Sequence, residues 1–95
     1  MGVKASNIAP LGVGKCFRTV TLDIATPGTS AATSAAQSLG ATFTKITPVA
    51  IAVKNTATAL VTVAYLPDTN STVKFRYQST VDEAISIVAT FECEV

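Results

Sequence analysis

From Ala84 to Val95 the chain reads AISIVATFECEV. Ile85, Ile87, Ala89, Phe91, Cys93 and Val95 fall on one side of an extended backbone. Ser86, Thr90, Glu92 and Glu94 fall on the other, with Val88 the single exception. A strict period of two predicts a strand with one face in the core. The segment TVKFRYQ alternates as cleanly: Val73, Phe75 and Tyr77 oppose Lys74, Arg76 and Gln78. Before it, LVTVAYL (60–66) places Val61, Val63 and Tyr65 on one face. Its other face, Leu60, Thr62, Ala64 and Leu66, is also fairly apolar, which predicts a central strand or one covered on both sides. Between these two runs stands PDTN (67–70): proline presets φ, and Asp and Asn bond their own backbone. Residues 60–66 and 72–78 therefore predict a hairpin.

The first half of the chain is less regular. In KCFRTVTLDI (15–24), Cys16, Val20, Leu22 and Ile24 share a face with Arg18, and Thr19, Thr21 and Asp23 share one with Phe17. The two intruders predict an edge or a bulge in the first half of this strand. In 41–54, Phe43 and Ile46 precede an alternation of Val49, Ile51 and Val53, with the regular strand at 48–54. Pro48 lacks a donor and marks a bulge, a strand start or an edge. Between these strands lies TSAATSAAQSLG (29–40), with Leu39 as its only large apolar residue. Alanine favours helix and Ser or Thr can cap one, so a loop with a short helical turn over 31–39 is expected. Leu39 would anchor it and Gly40 would end it in a left-handed conformation. Residues 1–14 show no sustained period and hold three of the five glycines and one of the four prolines, which predicts an extended arm.

Strands at this spacing, with turn residues between them and no competing helical period, predict an all-β fold. It is a small antiparallel β-sandwich or barrel of five to seven strands, with an extended N-terminal arm (1–14), a single β-domain (15–95) and one small-residue loop or short helix. Ninety-five residues make one domain.

Composition narrows the function. Charged residues are 14% of the chain, against about 25% in an average soluble domain. Such a mild Ala/Thr/Ser surface suits a protein that lies against other subunits. The net charge is +1 and the seven cations are scattered, which argues against nucleic acid as a partner. No apolar run is long enough to span a bilayer, and MGVKASNIAP has no apolar signal core, so neither membrane nor secretion is expected. Histidine is absent, and no serine or threonine stands beside a base motif, so no enzyme and no cofactor is expected. Asp82 and Glu83 are adjacent acids in a turn, and Glu92 and Glu94 share a strand face without enough further oxygen ligands for calcium. Two cysteines without histidine cannot form a four-ligand zinc site. Cys16 and Cys93 are read as reduced core thiols, with a first-to-last-strand disulfide as the alternative. LGVGKC (11–16) lacks the spacing and the following helix of a phosphate loop. Asn70-Ser71-Thr72 matches a glycosylation acceptor, Met1-Gly2 with Ser6 matches a short myristoylation pattern, and Phe75 with Tyr77 are core in phase rather than a stacking shelf.

The layout resembles the small β-sandwich structural proteins of tailed bacteriophages, which include capsid decoration (cement) proteins and related virion components. The segments carrying the likeness are SAAQSLGATF (34–43), YLPDTNSTVKFRY (65–77) and ISIVATFECEV (85–95). The cysteines and the long Ala/Thr run depart from that pattern, and no functional residue is carried over. The resemblance implies a non-enzymatic virion protein, made in the host cytoplasm, that binds the major capsid protein or other virion subunits and clusters as a homo-oligomer, three-fold or similar. The residues expected to make assembly contacts are Ile8, Pro10, Leu11, Pro27 and Leu39, on the arm and on loop 26–41. The alternatives are a soluble β-sandwich module for carbohydrate or peptide, or a tail or fibre subunit.

Overall fold

The computed structural model describes residues 14–55 and 59–95. Within them the chain is all-β and forms two antiparallel sheets. In chain order the strands are β1 (Lys15–Ile24), β2 (Ala32–Thr33), β3 (Gln37–Ser38), β4 (Lys45–Asn55), β5 (Val61–Pro67), β6 (Thr72–Ser79) and β7 (Ile85–Glu94). One sheet has the order β1-β7-β4. In the other, β6 is flanked by β5 on one side and by β2 and β3 in tandem on the other.

The two strands that alternate most cleanly are the two sheet centres. The inward residues of β7, Ile87, Ala89, Phe91 and Cys93, are wholly buried, as are Val73 and Phe75 of β6. The sheets meet through aromatic rings: Phe91 lies 5.2 Å from Tyr65 and 6.3 Å from Phe75, both tilted. Tilted rings at this spacing gain quadrupolar attraction beyond the area they bury. Val20, Leu39 and Phe43 close the core. The predicted hairpin is present, with Val63 opposite Tyr77 and Tyr65 opposite Phe75.

Segment 26–44 corrects the expectation of a helical turn. It is extended and lies along β6. Ser34 N–H donates to Phe75 O at 2.7 Å, Phe75 N–H to Ser34 Oγ at 2.9 Å, and Leu39 N–H to Ser71 O at 2.9 Å. Phe43 N–H then bonds Asn70 O at 2.7 Å. A helix here would satisfy only its own backbone and leave this edge of β6 open. The extended form satisfies both, and small side chains let it lie flat. Leu39 is the anchor, with 4% of its surface exposed. Gly40 has φ +83°, the left-handed conformation expected of it, although no helix precedes it.

Two further expectations are revised. β5 is an edge strand, not a central one, and Leu60 just before it is 75% exposed. On the same face Thr62 and Ala64 are exposed and Leu66 is half-buried. In β4 the register against β7 shifts between Pro48 and Ala50. Val49 is the extra residue of that bulge and stands exposed, leaving the apolar face to Ile46, Ile51 and Val53. β1, with Arg18 and Phe17 in the wrong phases, is an edge strand but pairs with β7 without a bulge. The arm over 1–14 lies outside the described residues except for Gly14.

A candidate assembly face

The ten-residue alignment of β1, β7 and β4 builds a regular outer face. At one end Lys15 and Lys45 flank Glu94, with the Lys45 ammonium 4.0 Å from the Glu94 carboxylate. Next come Phe17, Glu92 and Thr47, then Thr19, Thr90 and Ala50, then Thr21, Val88 and Ala52. Asp23, Ser86 and Lys54 form the far end, where Ser86 Oγ donates to the Asp23 carboxylate. Charge is thus concentrated toward the ends, and the middle is a carpet of small β-branched and methyl side chains. Hydroxyls of Thr19 and Thr90 approach to 3.4 Å across the strands. Such a face can lie flush against another protein, because short side chains lose little rotamer freedom when covered.

The two edges of this sheet differ. β4 carries a proline, a bulge and a lysine near each end, devices that blunt an edge. β1 has no proline and no bulge. Among the described residues no strand pairs with its outer side. Val95 N–H donates to Gly14 O at 2.7 Å, and this sets the phase of the β1–β7 ladder. Hydrogen-bonded pairs alternate from there, so the backbone groups of Cys16, Arg18, Val20, Leu22 and Ile24 face β7. Those of Lys15, Phe17, Thr19, Thr21 and Asp23 point to the open edge. Arg18, whose side chain is in the inward phase, holds its guanidinium 5.5 Å from the Phe43 ring centroid, over its own domain.

Of the expected contact residues, Pro27 and Leu39 are buried in the domain itself, so they have no surface to offer a partner. Apolarity in these loop residues serves the chain's own core. Ile8, Pro10 and Leu11 lie outside the described residues. The sequence reading expected an edge or a bulge in β1 but placed no assembly contact there; the absence of Pro and the opposite charges of Lys15 and Asp23 near its two ends are the signals that point to one.

The acids and thiols occupy structural positions. Asp82 Oδ1 accepts from Gly28 N–H at 2.8 Å, tying the turn after β1 to the one before β7. Asp68 accepts from Thr72 Oγ1 at 2.7 Å and lies 3.8 Å from the Lys74 ammonium, closing the β5–β6 turn. No group of three metal-ligating side chains occurs among the described residues. Cys16 and Cys93 are free thiols facing each other across β1 and β7. Burial pushes the Cys93 thiol up, the neighbouring Cys16 adds to this, and Arg18 opposes it. Burial likewise raises the Tyr65 phenol, with Cys93 contributing. Phe75 is wholly buried, and Tyr65 and Tyr77 pack against the core, so none of these rings forms a shelf for sugar or base. No helix among the described residues is long and apolar enough to cross a membrane. No family model, curated protein or solved structure matches this chain.

Proposed function

We propose that this chain is a non-enzymatic structural subunit of a virion, of the decoration kind, which lies on a protein shell and stabilises it. The observation that carries the reading is the outer face of the β1-β7-β4 sheet, a central carpet of Thr, Ala and Val with its charges toward the ends. A lone domain in solution gains little from so uncharged a middle to that face. A subunit repeated over a lattice gains much, because weak identical contacts add through effective concentration. The segment 26–41, expected to share in binding, is engaged with β6, so the reading assigns contact to the sheet face and to the arm.

The test is co-sedimentation of the full chain with empty shells from the virus carrying its coding sequence. The wild-type chain is expected to pellet with the shells. Thr90→Arg, which raises a long charge from the middle of the carpet, is expected to remain in the supernatant while keeping its β-sheet circular dichroism. Deleting residues 2–12 is expected to weaken pelleting. A wild-type chain that stays in solution, or a Thr90→Arg chain that pellets as well as wild type, contradicts the proposal.

A further inference from the structure

An open edge is a template for another strand, and proteins that keep one unguarded use it or aggregate through it. Among the described edges, β1 is the one that is both long and unguarded. β4 has its proline and bulge, β5 is shorter and ends on Pro67, and β2 and β3 are two residues each. Two copies of β1 can pair antiparallel only in registers that match outward-pointing backbone groups with outward-pointing ones. Those registers also keep inward side chains with inward ones.

We propose that a second copy of this chain pairs with β1, antiparallel, about a two-fold axis at Thr19, merging two three-stranded sheets into one of six. This inference rests on the assembly reading above and names its partner. In place of three-fold clustering it gives a two-fold, since an edge that pairs with itself is isologous.

Charge selects the register. With Thr19 opposite Thr19 of the second copy, Lys15 faces Asp23 and Asp23 faces Lys15, so both ends of the seam carry opposite charges. Phe17, half exposed in the single chain, lies opposite Thr21 and is covered. Cys16 meets Leu22 and Arg18 meets Val20, which continues the inner face. Sliding the axis to Arg18 sets the two guanidinium groups against each other and takes Lys15 away from Asp23. Sliding it to Val20 sets Asp23 against Phe17. In the favoured register, the pairs at Lys15, Phe17, Thr19, Thr21 and Asp23 exchange two backbone bonds each. The end row of the outer face then runs Lys45, Glu94, Lys15, Asp23, Ser86, Lys54 across the seam, with the strongest charges alternating in sign.

Size-exclusion chromatography with light scattering, on the full chain over a concentration series, tests this. The wild-type chain is expected to run as a dimer. Thr21→Pro removes an N–H that points to the open edge and takes no part in the ladder with β7, so the fold tolerates it; it is expected to be monomeric with unchanged circular dichroism. Asp23→Lys places like charges at both ends and is expected to weaken the dimer by roughly tenfold. The double exchange Lys15→Asp with Asp23→Lys is expected to restore it. A wild-type chain that stays monomeric up to millimolar concentration overturns the pairing, as does one that binds an added extended peptide at β1 while remaining monomeric. A dimer that survives Thr21→Pro, or a double exchange that restores nothing, overturns it too. The shell experiment is separate: a dimer that fails to bind shells leaves the pairing standing and removes the decoration role. Shell binding by a monomeric wild-type chain does the reverse.

Discussion

β1 and β4 lie on either side of β7, pair with the same residues 85–94, and are nearly equal in length. Their free sides are nonetheless built on opposite plans. Pro48 removes a donor from β4, Val49 interrupts its pleat, and Lys45 and Lys54 bring lysine toward lysine when two such strands approach antiparallel. β1 keeps a continuous pleat and ends in opposite charges, Lys15 and Asp23. Core packing does not account for the difference, since both strands send alternate side chains onto the same buried residues of β7. What separates them is what each offers to a neighbour. Among the described residues one edge is closed to further strands and the other is left open in a charge pattern complementary to itself.

The comparison can be broken at its shared support. Phe91 packs between Tyr65 and Phe75 and lies opposite Arg18 on β1 and Pro48 on β4. Phe91→Ala is expected to cost about 3–5 kcal/mol. A domain of this size has about 5–14 kcal/mol in all. Urea unfolding should show one transition shifted to low denaturant, with both edges lost together. Retention of either edge would mean the two strands do not share one core.

The comparison can be sharpened by removing the guard from β4. Replacing Pro48 by Thr and deleting Val49 restores a donor and a continuous pleat. The altered chain is expected to associate through both edges, giving species larger than a dimer by light scattering. If it keeps the wild-type mass, proline and bulge are not what closes that side.

A smaller difference lies beneath the strands. Cys93 faces Cys16 on β1 but Ile46 on β4. Its thiol is raised above an ordinary 9.0 by burial first and then by Cys16, and the Tyr65 phenol is raised above 10.0. Groups raised on folding contribute stability that is fully present below their unfolded values and is lost as pH rises through the folded ones. The urea midpoint should therefore hold up to about pH 9 and fall beyond it. Cys16→Val, which takes away the second thiolate, should reduce that fall. A midpoint that rises above pH 9 would contradict the sign.

Where one force dominated, the sequence reading agrees with the structure. β7 and β6 each have a wet face and a dry one, so their alternation located both sheet centres. The β5–β6 hairpin follows from Pro67 and Asp68 between two such runs. Segment 29–40 misled because alanine propensity is a weak local preference, whereas the open side of β6 offers a row of backbone partners. β5 misled because apolar Leu60 and Leu66 look buried by composition, whereas beside an edge strand Leu60 stands exposed and Leu66 is only half-buried. Val49 misled because a bulge resets the period, and Pro48 announces a bulge without saying which residue is extra. Pro27 and Leu39, expected at an assembly contact, lie buried in the domain for a related reason: in a small domain a large apolar loop residue is needed at home. Arg18 and Phe17 in the wrong phases announced an edge or a bulge in β1, but which of the two it was became legible only with its pairing partners, since an edge is defined by which strand is missing beside it.

The most direct measurement is amide hydrogen exchange along β1 and β4 as a function of protein concentration. The amides of Phe17, Thr19 and Thr21 are expected to gain protection as concentration rises. Those on the free side of β4 should exchange at one rate throughout. Concentration-independent exchange at Phe17, Thr19 and Thr21, or protection that rises equally on β4, would contradict the claim that this molecule has one closed edge and one built for a second copy of itself.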